Sequence, residues 1–287
     1  MILNSDLRVV VQGITGKQGQ FHTEQMLKYG TKIVAGVTPG KSGEKIFGVP
    51  VFDSVTDAVD NTDANCSVIF VPPRFAYSAG IEAIKSQLNP VVVITEGIPV
   101  NDTIKMIKFA EYNQTTIIGP NGPGFIIPGI TKLGIIPGNY FKKGHTAIIS
   151  RSGTLTYEIA WNMAMNGLGQ SIAIGLGGDP ITGINFIDSL KFIENHEPTH
   201  SVVILGEIGG EEEEKLSDYI IKTNFSKPVV GFIGGSSAPP EKQMGHAGAI
   251  ISEGSGTYES KIKALKKAGA KIAIRPIEIP QILNKIV

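Results

Sequence analysis

The chain has 287 residues, about twice the usual ~150-residue domain, and 41% of them are hydrophobic, enough for a substantial core. Lys+Arg and Asp+Glu each number 26, so the formal net charge is zero and no single-sign field is available to hold nucleic acid or an anionic bilayer. One cysteine, Cys66, excludes an intrachain disulfide and a four-thiolate metal site; with no basic leader and no apolar run near ~18 residues, a soluble cytoplasmic protein is expected.

Short β-branched runs alternate with longer amphipathic segments. Strands are predicted at 7–12, 32–37, 66–71, 91–95 and 115–118, and helices at 17–29, 54–63, 75–87 and 102–113. The strands are near-continuous Val/Ile runs, as expected where helices cover both faces of a parallel sheet. Residues 119–144 break this rhythm with Gly-Pro-Asn-Gly-Pro-Gly, Pro128-Gly129 and Pro137-Gly138, and are expected to form a turn-rich connector. Strands then resume at 146–150, 171–176, 201–206, 228–233 and 271–274, with helices at 154–166, 182–194, 211–223, 257–268 and 280–286. The fold class is therefore α/β: two domains, each with a parallel sheet, divided as 1–122, a connector 123–144, and 145–287.

The segment Val9-Val10-Val11-Gln12-Gly13-Ile14-Thr15-Gly16-Lys17-Gln18-Gly19 runs from strand through glycine loop into helix. That arrangement aims backbone N–H groups at an anion, although G-x-x-G-x-x-G by itself also fits a bare tight turn. An NAD site expects an acid about 20 residues on, to hold the ribose 2′-hydroxyl. Here the second strand ends Gly36-Val37-Thr38-Pro39-Gly40-Lys41. A lysine in place of the acid suits a phosphorylated ribose, as in coenzyme A or NADP, if it is not simply a solvated loop residue.

His196-Glu197-Pro198-Thr199-His200 matches H-E-x-x-H, but Pro198 and the strand that follows deny it the continuous helix a zinc site requires. His22 and His145 read as structural or solvated. His246 lies in a long loop, among small residues, after a buried strand, where open α/β sheets keep their chemistry. Glu207 ends another strand; a carboxylate accepting the Nδ1 proton would leave Nε2 as a nucleophile. Ser152 and Gly153 open a helix whose N-terminus suits a phosphate. Their plainer roles are a helix-start acid and an N-cap. The acidic run 211–214 reads as a solvated first turn.

With these residues, and with Gly13–Gly19, Gly36–Lys41, Ile94-Thr95-Glu96-Gly97-Ile98-Pro99, Ser150–Glu158, Gly177-Gly178-Asp179-Pro180, Gly206–Gly210 and Met244–Ile250, the whole chain resembles the α subunits of succinyl-CoA synthetase (succinate–CoA ligase). The resemblance implies a Rossmann-type CoA-binding domain followed by a flavodoxin-like ligase domain. It implies CoA contacts at Thr15, Gly16, Lys17, Gln18, Lys41, Ile94, Thr95 and Glu96. His246 would be the phosphorylated residue, Glu207 its partner, Ser152 and Gly153 the phosphate-binding helix start, and Tyr157 part of the substrate site. One departure stands out: Gly122 replaces the cysteine that members usually carry near the CoA thiol end.

The implied reaction interconverts succinate, CoA and a nucleoside triphosphate with succinyl-CoA, nucleoside diphosphate and phosphate, through succinyl phosphate and a phosphohistidine. The chain has no G-x-x-x-x-G-K-[ST] loop and no obvious carboxylate cluster for Mg²⁺. The sites for ATP or GTP and Mg²⁺ are thus expected on another polypeptide, which the resemblance implies is an ATP-grasp β subunit, in an αβ or α₂β₂ assembly. Alternatives are the same chemistry on another acid (acetyl-CoA synthetase, malate–CoA ligase), an NADP-dependent oxidoreductase, or a non-catalytic CoA-binding module.

Overall fold

The computed structural model describes residues 6–237, 245–246, 248–250 and 256–286; Met244 and Ala247 of the histidine motif and the first five residues lie outside that set. Two units are distinguished, Met1–Ile136 with Ile181–Gly183, and Pro137–Pro180 with Ile184–Val287.

In chain order the first unit contains β1 (Arg8–Gln12), α1 (Lys17–Tyr29), β2 (Lys32–Val37), β3 (Lys45–Ile46), β4 (Val49–Phe52), α2 (Val55–Asn61), β5 (Cys66–Ile69), α3 (Pro73–Lys85), β6 (Val91–Val93), α4 (Val100–Tyr112), β7 (Ile117–Ile118), β8 (Gly124–Ile127) and β9 (Thr131–Gly134). Its sheet runs β3-β4-β2-β1-β5-β6-β7. From β4 to β7 the pairs are parallel, and β3 lies antiparallel on the edge. This is the Rossmann order, with its topological switch point between β1 and β5. Val10, Ile69, Val91 and Val93 on the strands pack with Ile84 and Met106 on α3 and α4. Helix α1 stops where Gly30 adopts φ +98°, a left-handed cap that favours glycine.

The expected connector is not all turns: β8 and β9 form an antiparallel hairpin within it. The hairpin is tied to α1 and the residues after it, because Thr31 Oγ1 donates to Lys132 O at 2.7 Å and Gly129 N–H donates to Tyr29 OH at 2.9 Å. Burial pulls the Lys132 ammonium down to about 8. Burial, with the charge of Lys132 adding, holds His22 down at about 4, so its ring, stacked on Phe70, is neutral.

The second unit contains β10 (Lys143–Ser150), α5 (Gly153–Met165), β11 (Gln170–Gly175), α6 (Phe186–Glu194), β12 (Ser201–Glu207), α7 (Glu212–Thr223), β13 (Val229–Gly234), α8 (Tyr258–Lys267), β14 (Lys271–Ile272) and α9 (Ile279–Leu283). Strands β14-β13-β12-β10-β11 lie side by side and parallel. Numbered from β10 this is the flavodoxin-like order, with its switch point between β10 and β12. Ile148, Ile149, Val203, Ile204 and Leu205 are fully buried in it. Helix α6 starts later than its hydrophobic pattern suggests because Asn185 and Asp188 close a capping box there. Among the described residues no helix is long and apolar enough to cross a membrane.

Candidate functional site

In the first unit the chain leaves β1 into the glycine loop, where Gly13 N–H donates to Val37 O and Gly13 adopts φ +79°. Gly19 lets α1 approach this loop: a Cβ there would lie far inside contact distance of Gly13 O. The N-cap of α1 is Gly16, with no side-chain cap and no acid in the first turn, so the helix N-terminus keeps donors and dipole for an anion. Beside it is a cavity of about 520 Å³ at the switch point, walled by Thr15 and Gly16, by Thr38 and Pro39 after β2, and by Phe70 and Phe75 around the end of β5.

Of the residues expected to touch CoA, Thr15 and Gly16 line this cavity, and the Thr15 hydroxyl donates to that of Thr38, another lining residue, at 3.1 Å. Lys17 and Gln18 are exposed in the first turn of α1. Lys41 is exposed and pairs with Glu44 at 3.0 Å, a contact worth about 0–1 kcal/mol and easily exchanged for a phosphate. Ile94 and Thr95 continue from β6, where Thr95 Oγ1 donates to Val71 O at 2.7 Å, and Glu96 is exposed. These six are not among the lining residues. The aromatic wall from Phe70 to Phe75 escaped the sequence reading because Phe70-Val71 reads as more of the β5 strand.

In the second unit, His246, Glu207 and Ser152 come together. His246 Nδ1 lies 2.8 Å from Glu207 Oε2, and both residues line a cavity of about 330 Å³ with Ser152 and Leu155. Glu207 stands at the end of β12 and Ser152 just after β10, on either side of the switch point. Ser152 caps α5, its Oγ accepting from Leu155 N–H, and Gly153 is the first helical residue. With Nδ1–H donating to the carboxylate, Nε2 is the unprotonated ring nitrogen and carries the lone pair. Tyr157, one turn into α5, is half-buried, and burial pushes its hydroxyl up to about 12.

Two neighbours carried no assigned role in the sequence. Arg151 is buried, with Nε 3.3 Å from Glu207 Oε1, an ion pair without hydrogen-bond alignment, and a guanidinium N–H donating to Asp179 O. It supplies the counter-charge that a buried carboxylate requires. Gly178 lies directly against the imidazole; a Cβ there would sit 2.6 Å from the ring. Both occur in motifs quoted above, but only the fold shows what they touch.

The acidic run needs a correction. Glu213 is not solvated: it is fully buried and paired with the equally buried Lys261. Burial pushes its carboxyl upward, opposed by Lys261. The H-E-x-x-H segment lies between α6 and β12, outside any helix. His196 Nδ1 meets Thr199 Oγ1, while the His200 ring stacks on His145.

Comparison with known proteins agrees with this two-part layout. A CoA binding domain family matches residues 4–97 and a CoA-ligase family matches residues 149–271, which defines the class as a CoA ligase. The chain is 54% identical over 286 residues to the ADP-forming succinate–CoA ligase subunit alpha 2 of Archaeoglobus fulgidus, covering 100% of this chain and 99% of that one. To the corresponding alpha subunit of Methanothermobacter thermautotrophicus it is 53% identical over 279 residues, covering 97% and 94%. The chain belongs to the succinate–CoA ligase α-subunit family. An α subunit implies a partner subunit. The fold is shared with the ATP citrate lyase of Methanosaeta concilii, at TM-score 0.90 and 24% identity over 100% of this chain; the chain spans about half (51%) of that one.

Proposed function

We propose that this chain carries the phosphohistidine step of an ADP-forming succinate–CoA ligase, with His246 as the phosphoryl carrier. The carrying observation is the 2.8 Å contact between His246 Nδ1 and Glu207 Oε2, over a cavity shared with the N-cap of α5. Nε2 attacks the γ-phosphorus of the triphosphate, the bond to the bridging oxygen breaks, and the diphosphate leaves. The phosphoramidate then gives its PO₃ group to a succinate carboxylate oxygen, regenerating the ring. CoA thiolate attacks the acyl carbonyl of succinyl phosphate, and inorganic phosphate departs. In this scheme Glu207 fixes the tautomer and steadies the charged ring, while Ser152, Gly153 and the α5 dipole hold the phosphoryl oxygens.

CoA is assigned to the first unit. Its phosphates lie over the α1 N-terminus, with Thr15, Gly16, Lys17 and Gln18 around them, Lys41 on the ribose phosphate, and Ile94, Thr95 and Glu96 beyond. Tyr157 is assigned to the succinate side. Among the described residues no three His, Cys, Asp or Glu side chains gather to hold a metal. ATP and Mg²⁺ are assigned, on the family resemblance, to an ATP-grasp β subunit, in an αβ or α₂β₂ assembly in the cytoplasm.

The test is co-expression with that partner and labelling with γ-labelled ATP. The expected product is acid-labile, base-stable phosphate on His246, together with CoA binding and little NADPH binding. NADPH binding in place of CoA, or no phosphate incorporation, would overturn the assignment. Glu207→Gln is expected to slow phosphorylation by about 10²-fold, the scale of losing an orienting or electrostatic group, as read by rapid quench.

A further inference from the structure

Building on the phosphohistidine chemistry proposed above, we propose that the buried pair Glu213–Lys261 is a positioning device that sets the Glu207 carboxylate against His246. Glu213 stands in the first turn of α7 and Lys261 in the first turn of α8, and both side chains are fully buried. Glu213 Oε1 accepts from the backbone N–H of Glu207 at 3.1 Å, fixing the point where β12 ends. Lys261 Nζ donates to Gly210 O at 3.0 Å, fixing the far end of the same turn, and to Glu214 Oε2 at 3.2 Å. Ser260 Oγ adds a 2.6 Å bond to Glu214 Oε1. Both ends of the 207–210 turn are thus held by one ion pair.

The turn also carries the histidine side. Gly209 adopts φ +88° and packs directly on the backbone of Gly248 and Ile250; its N–H donates to Gly256 O at 2.8 Å. Residues that follow His246 along the chain therefore rest on the clamped turn. A buried ion pair contributes little to net stability against an apolar pair of similar shape, but removing one member leaves the other charge uncompensated. Its service here is to fix where Glu207 begins to leave the sheet.

The test uses the complex with the partner subunit. Lys261→Met and Glu213→Gln, alone and combined, are compared with wild type for the rate constant of His246 phosphorylation per folded site and for its pH profile. Among the described residues, the ring meets Glu207, which Arg151 faces, and packs on Gly178 beside Asp179; Glu213, Glu214 and Lys261 stand behind the Glu207 backbone. Each single variant is expected to lower the rate constant by about 10- to 100-fold, the scale of removing a group that holds a reacting one in place. The double variant should be no slower than the worse single, since the two act as one unit.

A carboxylate that no longer sits against the imidazole stabilises its protonated form less, so the acid limb should move to lower pH. A folded variant with the wild-type rate constant and acid limb overturns the inference. So does activity lost only in proportion to unfolded protein. A wild-type complex that takes no phosphate, or His246→Asn that still takes it, would instead defeat the proposed function itself.

Discussion

His246→Asn in the complete complex is expected to take up no acid-labile phosphate and to show no ligase turnover, while its affinity for CoA should stay within a few-fold of wild type. Asparagine can still donate an amide N–H toward Glu207, whose Oε2 meets His246 Nδ1 in the native chain. The buried carboxylate thus keeps a partner, and the substitution chiefly removes the Nε2 nucleophile. CoA affinity is spared because the CoA binding domain match spans residues 4–97, in the other unit. Rapid-quench labelling and a CoA titration measure the two halves of this expectation. Full turnover in the variant would mean that the phosphoryl group travels by another route.

Gly19→Ala should weaken CoA binding by about 10- to 100-fold, the loss of one charge-assisted hydrogen bond at roughly 1.5–3 kcal/mol. The added methyl would collide with Gly13 O, a backbone atom that cannot rotate aside. Helix α1 or the loop must move, and the donors at the helix N-terminus lose their aim. Overpacking of this kind also costs about 1–3 kcal/mol of stability. Calorimetric titration on folded protein separates the two effects, and unchanged affinity would show that this helix end does not hold CoA.

Much of this architecture was legible because its elements are locally consistent. Helix α1 and strand β2 begin and end where the sequence puts them, since Gly16 and Gly30 punctuate the helix and Lys32–Val37 is an unbroken apolar run after its first residue. The hairpins β3–β4 and β8–β9 were not, because two- and four-residue strands among glycines and prolines give no periodic signal. The His246–Glu207–Ser152 grouping follows from strand ends meeting at a switch point, a rule that needs only strand order.

Glu213 was misread for a physical reason. Acids in a first helical turn usually answer the helix dipole from solvent. Its partner lies 48 residues away in Tyr258–Lys267, a segment whose lysines look like an ordinary basic face. Arg151 likewise sits in a legible motif, yet its counter-charge role appears only when β10 and β12 are neighbours.

Cys66 lies fully buried in β5, with burial pushing its thiol up to about 12, and the buried position 122 is glycine. An acyl group carried on coenzyme A therefore meets no competing thiolate from this chain, and thioester exchange onto the protein has no acceptor here. The same silence makes the subunit a blank background for chemical labelling: one cysteine introduced on its surface would be its sole reactive handle for a fluorophore or a spin probe.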